Sequence, residues 1–488
     1  MRASLLERVK HAARTLTFEQ MAIAVLFIAF AAAGALLNPE NDSFWHLRLG
    51  QDIWNAGAIP HVDTYSFTAR GMPYGDHEWL AQPIFYLAYH LGGIPLLETV
   101  SAIVIISVVT LAYRLMVNPP MTRFIVMAAF LSVASAGWAL RPQIFTLLAL
   151  TTLLTLLARE RYWFIPPLFL LWANLHGGVL FGDLLVGAAL GTAMLRWLVW
   201  RESVDRRRVL VLAVVLVLAV LATAGTPLGF RIFQFAIVTA HRSRALRIIE
   251  WFAPIPPDPL AIMFWTLALA FLVPLWLRRR RVLAGSWSDW VLVASALALL
   301  PLAASSYRNI GPFLLVTVPA LSRVLGPDFR FRLPPRASAG PPPAREEHPR
   351  ANLAIVCVAA VAALATIGWF WVTVPQSFGW RPVSDGALAA IRACPGPLYN
   401  HYNEGGYLMW FLPERAVYAD SRQDLYDFDF LAQHFEIEHR QRPYKPTFER
   451  WGIRCAFLSV KSPTVETLAA DGWRTRFRDD KWVVLAAP

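Results

Sequence analysis

The apolar residues of this chain fall in long unbroken blocks rather than in stripes at helical spacing. Eleven blocks stand out: Met21–Leu37, Leu96–Val117, Phe124–Leu140, Ile144–Ala158, Tyr162–Ala173, Val179–Val199, Val209–Ala224, Leu260–Leu277, Trp290–Ala304, Ile310–Leu325 and Asn352–Val374. Blocks of this length predict membrane-spanning helices. The fourth and fifth are short and are flanked or broken by Arg141-Pro142 and Pro166-Pro167, a form tolerated where a helix is packed in protein or lines a cavity. Phe230–Ala240 is apolar over only half a span and predicts an interfacial or re-entrant helix. The first block is not a secretory leader, because ten more follow it. After Val374 the pattern changes. Short apolar runs at Pro397–Asn400, Ala416–Ala419, Cys455–Val460 and Trp482–Ala486 alternate with polar helical stretches, the pattern of a small α/β domain.

The expected architecture is a multi-span α-helical membrane protein of about eleven transmembrane helices, residues 1–374, with a small C-terminal α/β domain, residues 375–488. Composition agrees: 56% of the 488 residues are hydrophobic and 16% charged, against about 45–50% and 25% in soluble chains. That excludes an ordinary soluble enzyme and a disordered protein. The net charge of +12 suggests nucleic acid only in a soluble chain; here cytoplasmic loops account for it, and no nucleic-acid partner is expected. With the N-terminus cytoplasmic, Arg114, Arg123, Arg159, Arg161, Arg201, Arg206–Arg208, Arg278–Arg281 and the Pro/Arg-rich linker 326–351 fall on one side, as the positive-inside rule requires. The C-terminal domain is then extracytoplasmic. Its Cys394 and Cys455 are either a disulfide in an oxidising compartment or two unpaired buried thiols.

The chemistry gathers at the turns on the expected outer side. The first outer loop, residues 38–82, opens with Asn38-Pro39-Glu40-Asn41-Asp42-Ser43-Phe44-Trp45-His46 and closes with Asp76-His77-Glu78-Trp79-Leu80. An amphipathic stretch between them suits an interfacial helix. Other outer turns carry Arg141-Pro142-Gln143, Asn174-Leu175-His176-Gly177-Gly178, Arg244 with Arg247, and Tyr307-Arg308-Asn309. Arginines on this side run against the positive-inside bias. An anionic ligand explains them, since a guanidinium grips phosphate with paired hydrogen bonds. Carboxylates beside arginines at lipid depth fit group transfer from a lipid phosphate. A metal held by carboxylate oxygens would be Mg or Mn.

A first span followed by an outer loop opening Glu40-Asn41-Asp42 resembles the GT-C superfamily of polytopic glycosyltransferases. The runs Asp42-Ser-Phe-Trp-His-Leu, Asp76-His-Glu-Trp-Leu, Arg141-Pro-Gln and Asn174-Leu-His-Gly-Gly are also similar to a group of bacterial GT-C-like proteins. The resemblance implies a polyprenyl-phosphate-linked sugar donor, a glycan, lipid or protein acceptor, and residence in the bacterial inner membrane. It implies Asp42 as catalytic base with Glu40 as acidic partner, the same pair serving as ligands if Mg or Mn takes part. Asp76, His77, Glu78, Arg141, His176, Arg244, Arg247 and Arg308 are expected at the substrate or its phosphate.

Each has an ordinary alternative. Asp42 or Ser43 can cap the amphipathic helix; Asp76 and Glu78 can cap the next one. Arg141 and Arg308 can snorkel from span ends. His176 can mark close helix packing. Glu404-Gly405-Gly406-Tyr407 lacks the spacing of a dinucleotide loop, and Asp420-Ser421-Arg422 reads as a turn with a surface ion pair. The rival functions are a non-catalytic lipid-sugar binder in a polysaccharide assembly complex, a lipid-linked glycan ligase, and a transporter. The transporter is disfavoured because the early spans are apolar toward the cytoplasmic side.

Overall fold

The computed structural model describes residues 7, 14–201, 203–331, 347–374 and 380–488; most of the linker and the first residues of the C-terminal segment lie outside this set. Within it the protein is a helical membrane protein carrying a small α/β domain. Every one of the eleven apolar blocks lies in a helix. Six helices are long and apolar enough to cross a membrane: Ala81–Leu115, Pro120–Gly137, Val179–Trp200, Pro259–Leu277, Trp287–Ser305 and Pro349–Thr373. Gln143–Ala158 and Tyr162–Leu175 are shorter apolar helices. Between them they bury Leu150, Leu153, Leu154, Phe169 and Trp172 completely, so packing within the bundle replaces length.

The helix Ala81–Leu115 is two helices in line. Gly93 breaks it with φ +64°, a left-handed conformation that glycine adopts without steric penalty. The part before the break carries no span. It packs against the amphipathic helix Asn41–Ala56, whose Phe44 and Leu47 share one buried cluster with Phe85 and Leu97. The segment around Phe230–Ala240 forms the helix Arg231–Ala245, of which only Ile232 and Ser243 are buried.

The turns sort into two ends. At one, Trp287 donates to the Leu157 carbonyl at 2.8 Å, Arg278 to Leu325 at 2.8 Å, and Arg208 bridges to Glu160 at 2.8 Å. This is the linker end. At the other, Leu80 donates to Asn174 at 3.1 Å and Asn174 to Gly225 at 2.9 Å. The C-terminal domain covers this second end. Its sheet runs β1 (Leu398–Asn400), β2 (Cys455–Ser459), β4 (Trp482–Ala486), β3 (Arg474–Arg478) in spatial order. β1 pairs parallel with β2, and the other pairs are antiparallel. Three of the four expected apolar runs are strands. The fourth, Ala416–Ala419, is not in the sheet; Val417 instead bridges Ser66 of the first loop. The strand that the pattern missed, β3, reads Arg-Thr-Arg-Phe-Arg and is largely exposed, as a charged edge strand can be without an apolar signature. Cys394 and Cys455 form a disulfide, their Cα atoms 6.0 Å apart.

The domain is seated on the first loop, not merely tethered beyond the last helix. Phe67 and Val417 exchange backbone bonds with the opposing chain, Phe67 donating to Val417 at 3.1 Å and Val417 to Tyr65 at 3.0 Å. Below them Arg422 donates to Asp63 at 2.7 Å and to both oxygens of Asp420 at 2.9 and 2.7 Å, with all three side chains fully buried. The Asp420-Ser421-Arg422 turn therefore holds a buried ion triad rather than a surface pair.

Candidate active site at the domain end of the bundle

Helix Asn41–Ala56 begins at Glu40, whose N–H donates to Ser43 Oγ at 3.0 Å; that hydroxyl donates to the Leu140 carbonyl at 2.7 Å. These bonds bring the start of the helix against Arg141. The helix cap is thus Glu40, and Asp42 in the first turn turns its carboxylate elsewhere. Its Oδ1 accepts from Ser421 Oγ at 2.5 Å and from Asn41 Nδ2 at 3.3 Å, and its Oδ2 accepts from Arg141 Nη1 at 2.9 Å. The other terminal nitrogen of Arg141 donates to Glu40.

The Gly405-Gly406 pair explains how the domain reaches this point. A Cβ on Gly406 would lie 2.2 Å from the Asn41 carbonyl oxygen, and one on Gly405 2.3 Å from that of Ala419. The backbone of helix Gly405–Phe411 therefore rests directly on the first turn of Asn41–Ala56. The Tyr407 N–H donates to Asn41 Oδ1 at 3.3 Å. With its oxygen so engaged, the Asn41 amide donates to Ser421 Oγ at 2.9 Å, which leaves the Ser421 proton for Asp42.

A cavity of about 960 Å³ opens beside this cluster. Of the ten residues expected at the site, nine line it: Glu40, Asp42, His77, Glu78, Arg141, His176, Arg244, Arg247 and Arg308. Asp76 does not. It is buried behind the wall, accepting from Gln82 at 3.0 Å and the Glu78 N–H at 3.1 Å. Burial pushes its carboxyl up to about 7.

Glu78 is ringed by imidazoles. His46 Nε2 and His176 Nε2 each stand 3.5 Å from its oxygens, and His77 Nε2 stands 3.9 Å away. His176 Nδ1 accepts from the Gly178 N–H at 2.9 Å and faces Thr146 Oγ1 at 2.8 Å. Its proton therefore sits on Nε2, directed at Glu78. Burial, then the charges of Asp76, Asp42 and Asp424, raise the Glu78 carboxyl well above its usual range. Burial lowers all three histidines, His77 to about 4. Near neutral pH the cluster holds neutral imidazoles around a carboxyl that readily keeps a proton.

The arginines divide. Arg141 is engaged by Glu40 and Asp42, so its terminal nitrogens are not open to a phosphate as they stand. Arg308 pairs with Glu250 at 3.3 Å and lies 4.4 Å over the Trp251 ring. Arg244 donates only to carbonyls, those of Trp251 at 3.2 Å and Ser305 at 3.4 Å. Arg247 sits at the cavity with φ +59°. Among the described residues neither Arg244 nor Arg247 is paired with a carboxylate. Apolar side chains from Leu180, Phe181, Ile232, Phe235 and Leu302 continue the same wall.

The expectation of Glu40 and Asp42 as metal ligands meets a donor set that does not fit. Arg141 occupies an oxygen of each, Ser421 takes the remaining Asp42 oxygen, and among the described residues no group of three or more His, Cys, Asp or Glu is placed to hold an ion. No step below is routed through a metal. Residues the sequence reading left out of the site are His46, Tyr402, Tyr407, Ser421 and Asp424, all lining the cavity. His46 had a signal: it lies four residues after Asp42 on one helix face. Those of the C-terminal domain had none, because nothing local says which bundle end a separate domain will cover.

No protein-family model and no curated protein sequence matches the chain. Solved structures do resemble it in fold. The Archaeoglobus fulgidus oligosaccharyltransferase in its apo form matches with a TM-score of 0.51 and 11% identity, over 90% of this chain and 70% of that one. ArnT from Cupriavidus metallidurans bound to undecaprenyl phosphate gives a TM-score of 0.49 and 14% identity, over 96% and 97%. The chain thus shares its overall fold with the archaeal oligosaccharyltransferase over most of its length.

Proposed function

We propose that this protein is a membrane-embedded glycosyltransferase. It would move a sugar from a polyprenyl-phosphate-linked donor to an acceptor at the domain end of the bundle, on the outer face of a bacterial inner membrane. The observation that carries this reading is one cavity holding three things together: a positioned carboxylate at Asp42, guanidinium groups without acidic partners at Arg244 and Arg247, and an apolar wall for a lipid chain.

Asp42 Oδ2 keeps one lone pair beyond its bond to Arg141, and the side chain is 23% exposed. It would accept the proton of the acceptor hydroxyl as that oxygen bonds to the anomeric carbon. The bond from that carbon to the phosphate oxygen breaks on the opposite face, inverting the centre. Charge building on the leaving lipid phosphate is met by Arg244, Arg247 and Arg308. His46, His77, Glu78 and His176 supply donors and acceptors for sugar hydroxyls in the same cavity.

The test is Asp42→Asn, which keeps the shape and the Ser421 contact but removes the base. Transfer should fall by about 10²–10⁴-fold, the usual contribution of a general base, with detergent-solubilised protein still monodisperse. The anchoring of Asp42 by three donors favours one second reading, a non-catalytic lipid-sugar binder or a ligase without an acidic base. Full function in the Asp42→Asn variant would establish it.

A further inference from the structure

The first-loop acids are already bridged, and by a residue rather than an ion. Arg141 reaches both carboxylates at once, Nη1 to Asp42 Oδ2 at 2.9 Å and Nη2 to Glu40 Oε2. A divalent cation between two carboxylates would sit where that guanidinium plane sits, because it needs the same lone pairs. We propose that Arg141 takes the place of a divalent metal in this protein, bridging Glu40 and Asp42 so that the outer-loop acids are held together without one.

Three further observations carry the idea. Arg141 is held in place from its own backbone: its N–H donates to Ala139 at 2.8 Å, and the preceding Leu140 carbonyl is fixed by Ser43 at 2.7 Å. The remaining Asp42 oxygen is taken by Ser421 at 2.5 Å and Asn41 at 3.3 Å, so an ion could not hold the carboxylate by both oxygens without displacing them. The third is that, among the described residues, no group of three or more His, Cys, Asp or Glu is placed to hold an ion. Glu78, another carboxyl of the cavity, is enclosed by His46, His77 and His176. A magnesium or manganese ion takes about six oxygen ligands in near-octahedral array, several of them waters, around one or two carboxylates. Arg141, with a planar fork of fixed charge, meets the same two carboxylates without any of them.

The inference concerns the placement of charge and stands whether or not the transfer reading holds. Its probe is Mn²⁺ alone, titrated into the full-length protein in detergent and followed by electron paramagnetic resonance. Wild-type protein should leave the spectrum of the aqueous ion unchanged. Arg141→Ala exposes Glu40 and Asp42 together and should bind Mn²⁺ about tenfold more tightly or better, since a unit positive charge beside the pair is gone. Adding Asp42→Asn to that variant should abolish the binding, and Arg141→Lys, which keeps the charge, should not bind. If Arg141→Ala does not fold, Arg141→Gln is neutral, has similar polar character and makes the same comparison. The proposal is overturned if wild-type protein binds Mn²⁺ in a manner that Asp42→Asn removes, or if the folded neutral variants bind it no better than wild type.

Discussion

Arg422→Met removes the cation at the centre of the domain's seat. Arg422 makes three side-chain bonds of 2.7–2.9 Å to Asp63 and Asp420, and its guanidinium lies 5.0 and 5.2 Å from the rings of Tyr65 and Tyr74. Asp63 also accepts from the Ser66 N–H and hydroxyl, and Asp420 from Tyr426. Losing the arginine leaves two fully buried carboxylates without a cation. Summing three charged hydrogen bonds at roughly 1.5–3 kcal/mol each would give up to about 9 kcal/mol. That overshoots, because the orphaned acids can take up protons; breaking a buried pair costs about 3–5 kcal/mol. The lower range is the expectation. It is read by unfolding in mixed detergent and SDS, followed by near-ultraviolet circular dichroism, which reports the aromatic side chains around the triad. The triple variant Arg422→Met, Asp63→Asn, Asp420→Asn should recover much of the loss, since it leaves no buried charge. If Arg422→Met lies within about 0.5 kcal/mol of wild type, the range of ordinary surface changes, the domain is not seated through this triad.

Other perturbations test neighbouring parts of the argument. Gly406→Ala should destabilise the full chain by about 1–3 kcal/mol through overpacking against Asn41, although alanine favours a helix by about 1 kcal/mol; a rise in stability on the same unfolding assay would mean the helix does not rest on Asn41. Asp76→Asn tests the buried acid. Its folded-state value near 7 against 3.8 means the folded protein holds a proton that the unfolded one releases. The contribution of Asp76 to wild-type stability therefore declines as pH rises from about 4 to 7, and the advantage of Asp76→Asn should grow over that window, toward a ceiling of roughly 2–4 kcal/mol. His77, lowered to about 4, acts in the opposite sense in both proteins and cancels in the comparison. A difference that stays flat with pH would place Asp76 in contact with water.

The helices were legible because lipid demands long apolar blocks, and each block became a helix. The arginines and acids of the outer turns could also be grouped, since alternating spans bring every second turn to one end. What the residues around Asp42 do was not legible. The glycines at 405 and 406 looked like a failed nucleotide motif, and the meaning of Gly406 lies 365 positions earlier in the chain, in the backbone of Asn41. In the sequence alone Arg141 reads as a phosphate ligand or a snorkelling span end, and Arg422 as half of a surface ion pair. Glu40 lies 101 positions from Arg141 and Asp63 lies 359 from Arg422, and pairing across such distances leaves no local period to read. The edge strand Arg474–Arg478 escaped for the converse reason: one of its sides faces water, so it had no apolar face to show.

The last helix, Pro349–Thr373, buries only Asn352. It lies along Phe18–Gly34, and its Trp371 donates to Glu98 at 2.5 Å. It therefore carries the domain to the right neighbourhood without fixing where the domain sits; the loop 57–80 and the first turn of Asn41–Ala56 do that. Covalent continuity between the two halves is a convenience of delivery. A polypeptide cut between Phe331 and Glu347 would still hold every surface that recognises its other half, so the pocket could be assembled from two separately made pieces, much as a lock accepts a key that was never chained to it.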